Sequence, residues 1–402
     1  MFGLITNRNV LRLSFAQALA GANSTVVYAT AAIIGHMLSP DPALATLPIS
    51  VFVLGMAIST LPVGSITKRY GRVAAFIAGN ACGVAMGLLA AVALIFHSFA
   101  LFTFAMIFGG AYAAVVLTFR FAAAECVSAE ERPRALSTVL AGGVAAGVLG
   151  PQLVTGTMNA WPPHAYAVTY LSAAVVALLS AIVLAGGKFD MPRKPAQPGA
   201  SQTAQEGRPL AVFLRDPRLL VAMLCGVVTY MLMNFMMTSA PLAMELCGIA
   251  REHANFGIEL HVIAMYAPSF FTGRLITRFG AHRIVLLGLV LTACAAFAGM
   301  AGLTVGHFWV ALVLLGLGWN FGFLGASAMV LTCHSPEEGP RVQSVNDFVV
   351  FGAMVIGSFA SGSLLTSLGW TAVAGLMLPP LAIGVIGVVW LQWSRSRKQQ
   401  AV

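Results

Sequence analysis

One phrase is written twice in this chain, half a length apart, and nothing else constrains its fold as much. Ser128-Ala-Glu-Glu-Arg-Pro-Arg-Ala-Leu-Ser137 returns as Ser335-Pro-Glu-Glu-Gly-Pro-Arg-Val-Gln-Ser344, with six of ten positions identical at an offset of 207. Cys126 and Cys333 share that offset. Earlier in each half, Gly64-Ser-Ile-Thr-Lys-Arg-Tyr-Gly71 is matched by Gly273-Arg-Leu-Ile-Thr-Arg-Phe-Gly280, at an offset of 209. In a chain of 402 residues, an offset near half the length marks a duplicated unit. In a membrane protein, two such halves usually place the binding site between them.

The membrane follows from what the chain lacks. Only 9% of its residues are charged and 59% are hydrophobic, with a mean hydropathy of +0.88. A soluble domain carries about 25% charged residues, so this chain has too few to cover a surface facing water. A transmembrane helix needs about 20 mostly apolar residues. Twelve such spans are predicted, over residues 13–36, 45–65, 73–96, 99–122, 136–157, 165–186, 218–241, 255–275, 284–304, 308–332, 345–367 and 371–393. The first apolar run, Leu13 to Ile34, follows Arg8 and Arg12 as a secretory signal would. It is longer than a signal core, so it reads as a retained membrane helix. A polar stretch with Pro192, Pro195, Pro198, Gly199 and Ser201 reads as a flexible linker. The expectation is an all-α membrane protein of two pseudo-symmetric six-helix bundles, residues 1–187 and 218–402, joined by a linker over 188–217.

Basic residues set the orientation. Twenty of the 22 Lys and Arg fall on one side of the predicted spans, with only Arg251 in an opposite loop and Arg120 inside helix 4. Basic loops stay in the cytoplasm, so both termini are expected there. The six cysteines show no metal spacing and no Cys-x-x-Cys, which argues against a metal site and a disulfide framework.

The loop after helix 2 and the six-plus-six plan resemble the major facilitator superfamily. That family's loop reads Gly-x-Leu-Ala-Asp-Arg-x-Gly-Arg. Gly64, Arg69, Gly71 and Arg72 match it, while Lys68 stands at the Asp. Two further family patterns match less well. The Arg that proton-coupled members often carry in helix 4, a few residues before a Gly, is Ala105 here, before Gly109. The exporters' helix-5 run is approached by Gly142, Gly143, Gly147, Gly150 and Pro151 but continues as Gln152-Leu-Val-Thr. The segments Pro241–Gly248, His261–Gly273 and Asn346-Asp-Phe348 are similar to a bacterial subgroup that includes proposed riboflavin importers.

The resemblance implies that helices 1, 4, 7 and 10 line a central cavity. Polar and aromatic residues at mid-depth there are the substrate-binding candidates: Asn23, Tyr28, Tyr112, Tyr230, Asn234, Trp319 and Asn320. The offset of 207 carries Tyr112 to Trp319 and Gly109 to Gly316, which puts two aromatic rings at matching depths. Packing between helices is the alternative for each of them. His261 and Glu259 in helix 8 are candidates for proton coupling, since His changes charge near neutral pH. The alternatives are a structural His and an interfacial Glu. Asp347, at the start of helix 11, is expected to pair with Lys68, Arg69 or Arg72 as a cytoplasmic gate, or simply to sit well at a helix N-terminus. Arg120 reads as an interfacial anchor paired with Glu125.

The expected function is secondary transport of a small organic solute across the bacterial inner membrane by alternating access, as proton-coupled uptake. A proton-driven exporter of the same fold and a non-transporting membrane sensor are the alternatives. No phosphate-cradling Gly-x-x-x-x-Gly-Lys-[Ser/Thr] loop and no nucleophile–base set is present, so neither an enzyme nor a cofactor is expected. The expected partners are the solute, protons and lipid, with no nucleic acid, for a chain acting as a monomer.

Overall fold

The structure, a computed structural model, describes residues 7–41, 44, 47–187, 189, 210–213 and 215–400. Most of the expected linker over 188–217, with its Lys188, Arg193, Lys194 and Arg208, lies outside the described residues.

Among the described residues the chain forms helices and no strands. They are α1 (Arg8–Leu38), α2 (Leu47–Tyr70), α3 (Arg72–Ile95), α4 (Phe99–Glu125), α5 (Arg132–Thr157), α6 (Ala167–Ala185), the one-turn α7 (Leu210–Phe213), α8 (Pro217–Leu246), α9 (Arg251–Tyr266), α10 (Ser269–Phe279), α11 (Ala281–Ala301), α12 (Val305–Val330), α13 (Gly339–Gly375) and α14 (Leu378–Gln400). The eighth predicted span is interrupted. Pro268, which has no N–H, separates α9 from α10. The eleventh and twelfth spans meet at Gly369, whose φ of 78° bends the chain inside α13. Counted this way, the described helices are consistent with the twelve expected spans, and nine of them are long and apolar enough to cross a membrane. Large apolar side chains such as Phe15 and Ile356, each 71% exposed, point outward from them. So large an apolar exterior suits lipid rather than water.

The chain divides into two compact units. The first comprises residues 4–195 together with 343–355 from α13; the second comprises 196–342 and 356–402. In the first, α1 packs on α5, α2 and α3 pack on α4, and α3 packs on α6. In the second, α8, α9 and α11 surround α12.

The repeat is visible in the backbone. Gly71 and Gly280, which close the two copies of the loop motif, have φ of 86° and 85°. Each turns the chain from one helix into the next through a left-handed conformation that glycine adopts at little cost.

Inside α4 and α12 the repeat runs in a different register from the loops. A Cβ on Gly110 would overlap the backbone of Phe52 and Met56 on α2. A Cβ on Gly316 would meet His261 O at 2.6 Å and Met265 N at 3.0 Å on α9. Phe52 and Met56 lie 209 residues before His261 and Met265, whereas Gly110 lies 206 before Gly316. Phe102 on Tyr170 and Phe308 on Trp370, both fully buried phenylalanines, repeat the offset of 206. One residue turns a helix by about 100°. The expected match of Tyr112 with Trp319, and of Gly109 with Gly316, is therefore corrected. Trp319 corresponds to Ala113, and Tyr112 corresponds to Gly318.

These glycines are contact points between backbones, where a side chain has no room to relax. Gly110→Leu is expected to cost at least about 1–3 kcal/mol and to lower both the thermal midpoint in detergent and the recovery from size exclusion. Gly352→Ala, where nothing lies within 4 Å, should leave both unchanged.

Candidate functional site

In the first unit, the ring of Tyr112 lies where a Cβ on Gly83 would touch it at 2.6 Å, beside Ala177. Its hydroxyl and Ser180 Oγ are both buried without a hydrogen-bond partner. It shares a buried cluster with Phe76, Val115 and Phe119. Tyr112 is thus core between α3, α4 and α6, because the one-residue shift turns it that way. Asn23 is buried, and its Nδ2 donates to Ala173 O on α6 at 2.9 Å, while its Oδ1 has no protein partner. Thr30 and Tyr170 share a hydroxyl bond of 3.0 Å along the same seam. Tyr28 is half-buried, edge-on to Phe52 with centroids 5.7 Å apart.

The second unit is built differently. Trp319, 1% exposed, is the hub of an aromatic cluster. Phe323 stacks on it at 5.0 Å, and Tyr230 of α8 and Tyr266 of α9 meet it edge-on at 5.6 and 5.7 Å. Its indole Nε1 is buried with no protein partner, as is Nδ2 of Asn234. Asn320 has the opposite fate. Its Nδ2 donates to Met265 O and to Ser269 Oγ, both at 2.6 Å, and its Oδ1 accepts from Thr272 Oγ1 at 2.6 Å. These bonds splice the helix that Pro268 interrupts, so the amide is engaged inside the protein.

His261 and Glu259 do not form a pair. Glu259 is exposed, while His261 is fully buried and turned toward α12, with Nδ1 2.7 Å from Leu312 O. Its Nε2 has no protein partner.

The charges of the first unit form a buried network with a different pairing from the expected one. Asp347 binds Arg120, with Nη2 to Oδ1 at 2.6 Å, and accepts from Asn346 Nδ2 at 3.0 Å. Both partners are almost fully buried, with side chains 1% and 3% exposed. Arg72 instead grips Glu125, through Nε at 2.9 Å and through Nη2, and also donates to Gln343 Oε1 at 2.8 Å. Gln343 Nε2 donates to Glu125 in turn at 3.2 Å. The expected pairs Arg120–Glu125 and Arg72–Asp347 are therefore exchanged. Lys68 and Arg69 are exposed, and neither makes an ion pair with Asp347. The sequence does flag Arg120, as a charge inside an apolar run. Its partner lies 227 residues away, beyond the reach of any local rule.

Long apolar helices with outward-facing apolar side chains and buried ion pairs define a multi-pass membrane protein, and the family match makes it a transporter. It belongs to the major facilitator superfamily, whose profile matches residues 13–267 and 254–402. It is 43% identical, over 95% of both chains, to the riboflavin transporter RfnT of Brucella anthropi. It is 26% identical to the uncharacterized MFS-type transporter YddS of Bacillus subtilis, over 94% of this chain and 89% of that one. Among solved structures it resembles the transporter FucP in its outward conformation, with a TM-score of 0.73, 16% identity, and 97% and 99% of the two chains covered. The proton:xylose symporter XylE follows, with a TM-score of 0.72, 12% identity, and 96% and 94% covered. The expected transporter fold is thus present, and the chain is not an enzyme.

Breaking a buried ion pair from one side leaves an uncompensated charge. Asp347→Leu is expected to lose about 3–5 kcal/mol. The double variant Asp347→Leu/Arg120→Met should recover most of that loss, and Lys68→Ala should lose none. Thermal unfolding of the purified protein reads all three.

Proposed function

We propose that this protein carries riboflavin, or a flavin of the same ring system, into the bacterial cell across the inner membrane by alternating access. One observation carries the reading: the 43% identity with a riboflavin transporter extends over 95% of both chains. The aromatic cluster around Trp319 supports it, since stacking on a planar ring contributes about 0.5–1.5 kcal/mol per pair beyond burial. The protein works as a monomer with both termini in the cytoplasm, as the one-sided basic loops favour. Uptake is driven by the proton gradient.

The buried charges are its cytoplasmic gate. Arg120 with Asp347, and Arg72 with Glu125 and Gln343, hold residues 343–355 against α3 and α4. Lys68 and Arg69 form the basic rim beside them. Opening to the cytoplasm requires these bonds to part. A pair of this kind shifts a two-state population by its differential energy alone, so the gate tunes which side is open without fixing it.

Expression in a riboflavin-auxotrophic bacterium lacking its own uptake system should restore growth on scarce riboflavin and accumulation of labelled riboflavin. An acid-outside gradient should speed uptake, and a protonophore should slow it. A strain with the protein in its membrane that neither grows nor accumulates the label rules the reading out. Net loss of preloaded riboflavin would instead assign export.

A further inference from the structure

Among the buried polar atoms of the second unit without a hydrogen-bond partner, which also include Thr229 Oγ1 and Trp370 Nε1, three lie on neighbouring helices: Asn234 Nδ2 on α8, His261 Nε2 on α9 and Trp319 Nε1 on α12. Their side chains belong to residues 2%, 0% and 1% exposed. Buried polar atoms without partners cost stability and are rare in native proteins. Three of them on helices that pack on one another invite a shared explanation.

Their heights can be read from the packing. Leu312, whose carbonyl holds His261, and Trp319 are seven residues apart on one face of α12, which is about 10 Å along the axis. α9 runs alongside in the same direction, for Met265 meets Gly316 and Tyr266 meets Trp319. α8 runs the other way. Thr229 packs on Gly322, whereas Met236 packs on Gly299, beside Trp370, which in turn rests on Phe308. Asn234 therefore stands between the levels of Trp319 and His261, one turn from Tyr230 on the same side of α8. The seam between α8, α9 and α12 has an aromatic end, made by Trp319, Phe323, Tyr230 and Tyr266, and a polar end, made by Asn234 and His261.

The polar end has a defined sense. A backbone carbonyl only accepts, so His261 Nδ1 carries the proton shared with Leu312 O, and Nε2 presents a lone pair. Asn234 Nδ2 presents N–H bonds. An acceptor beside a donor is the complement of an imide edge, in which one N–H is flanked by two carbonyls. The uracil-like edge of a flavin ring is such an edge, and the remainder of the ring system is an aromatic plate.

We infer that the second unit alone reads the flavin ring, with His261 Nε2 accepting from the imide N3–H, Asn234 donating to an adjacent ring carbonyl, and the Trp319 cluster packing the aromatic body. The inference rests on the flavin reading above. It assigns His261 to ligand recognition in place of proton carriage.

The first unit keeps the same positions with different chemistry. Phe52 stands where His261 does, as the matched contacts of Gly110 and Gly316 require. Thr25 meets Gly150 as Met231 meets Gly357, at offsets of 206 and 207, and the first of these matches Tyr28 to Asn234. Ala113 takes the place of Trp319. Phenylalanine and alanine side chains offer no hydrogen bond there.

The test titrates the purified full-length protein with lumiflavin and with its 3-methyl derivative, which lacks the imide N–H, and follows quenching of flavin fluorescence. Wild type is expected to bind lumiflavin about tenfold or more tightly than the methylated ring. His261→Phe, which installs the residue of the matched position, should weaken lumiflavin by about tenfold and erase that discrimination. His261→Gln, with an acceptor of similar reach, should keep it. Asn234→Leu and Trp319→Phe should weaken both ligands, and Tyr112→Phe neither. Folded His261→Phe protein that still discriminates overturns the inference, as does a His261 variant that loses only the pH dependence of uptake with lumiflavin affinity unchanged. Wild type that binds no flavin overturns the functional reading itself, and this inference with it.

Discussion

Every polar group in this protein has to find its partner without bulk water, and that constraint sorts its residues into roles. Inside an apolar phase an unpaired N–H or C=O costs several kcal/mol. Asn320 satisfies it by splicing the helix interrupted at Pro268. Asn23 half-satisfies it by tying α1 to α6. Arg120 and Asp347 satisfy it by neutralising each other. Others remain unmatched, among them Asn234 Nδ2, His261 Nε2 and Trp319 Nε1 on three neighbouring helices of the second unit. The contrast between Asn320 and Asn234 is instructive. Both are buried amides in the second unit, yet one is engaged by its neighbours and the other is left with an open donor.

Glycine makes the second structural condition possible. Helices whose backbones touch, as α2 touches α4 at Gly110 and α9 touches α12 at Gly316, gain close packing where no hydrophobic effect drives them together. The same contacts act as pins that fix rotation. They show that α4 and α12 correspond at an offset of 206, although the loops that follow correspond at 207. A slip of one residue between loop and helix is silent in the sequence and decisive in space. It turns Tyr112 into the core and leaves Trp319 among Tyr230, Tyr266 and Phe323. The duplication therefore preserved the packing points while the two units diverged between them: one collected buried charge, the other a cluster of aromatic rings around Trp319.

The charge network joins residues 343–355 to α4 through the Arg120–Asp347 ion pair, and to α3 and α4 through the Gln343 amide, which bridges the Arg72–Glu125 pair. Desolvating four charges is costly, and a hydrophobic replacement of similar volume often matches such a pair in stability. In the gate proposed above, a set of exchangeable hydrogen bonds can hold one arrangement and still part, which an apolar seam of the same size does not provide.

The sequence by itself determined the helices, their number and the duplication, because long apolar runs, sparse charge and repeated loops depend only on composition and spacing. It also determined that Asp347 would need a cation, while the positive φ of Gly71 and Gly280 appears only in the backbone. Only the tertiary structure decided which cation. Arg120, Arg72 and Asp347 are far apart in the chain, and the choice between them depends on which side of each helix faces which neighbour. The same holds for Tyr112, Asn320 and His261. Residue type marked them as notable, but a helix presents a residue to ligand or to core according to its rotation, and that rotation is set by backbone contacts with other helices.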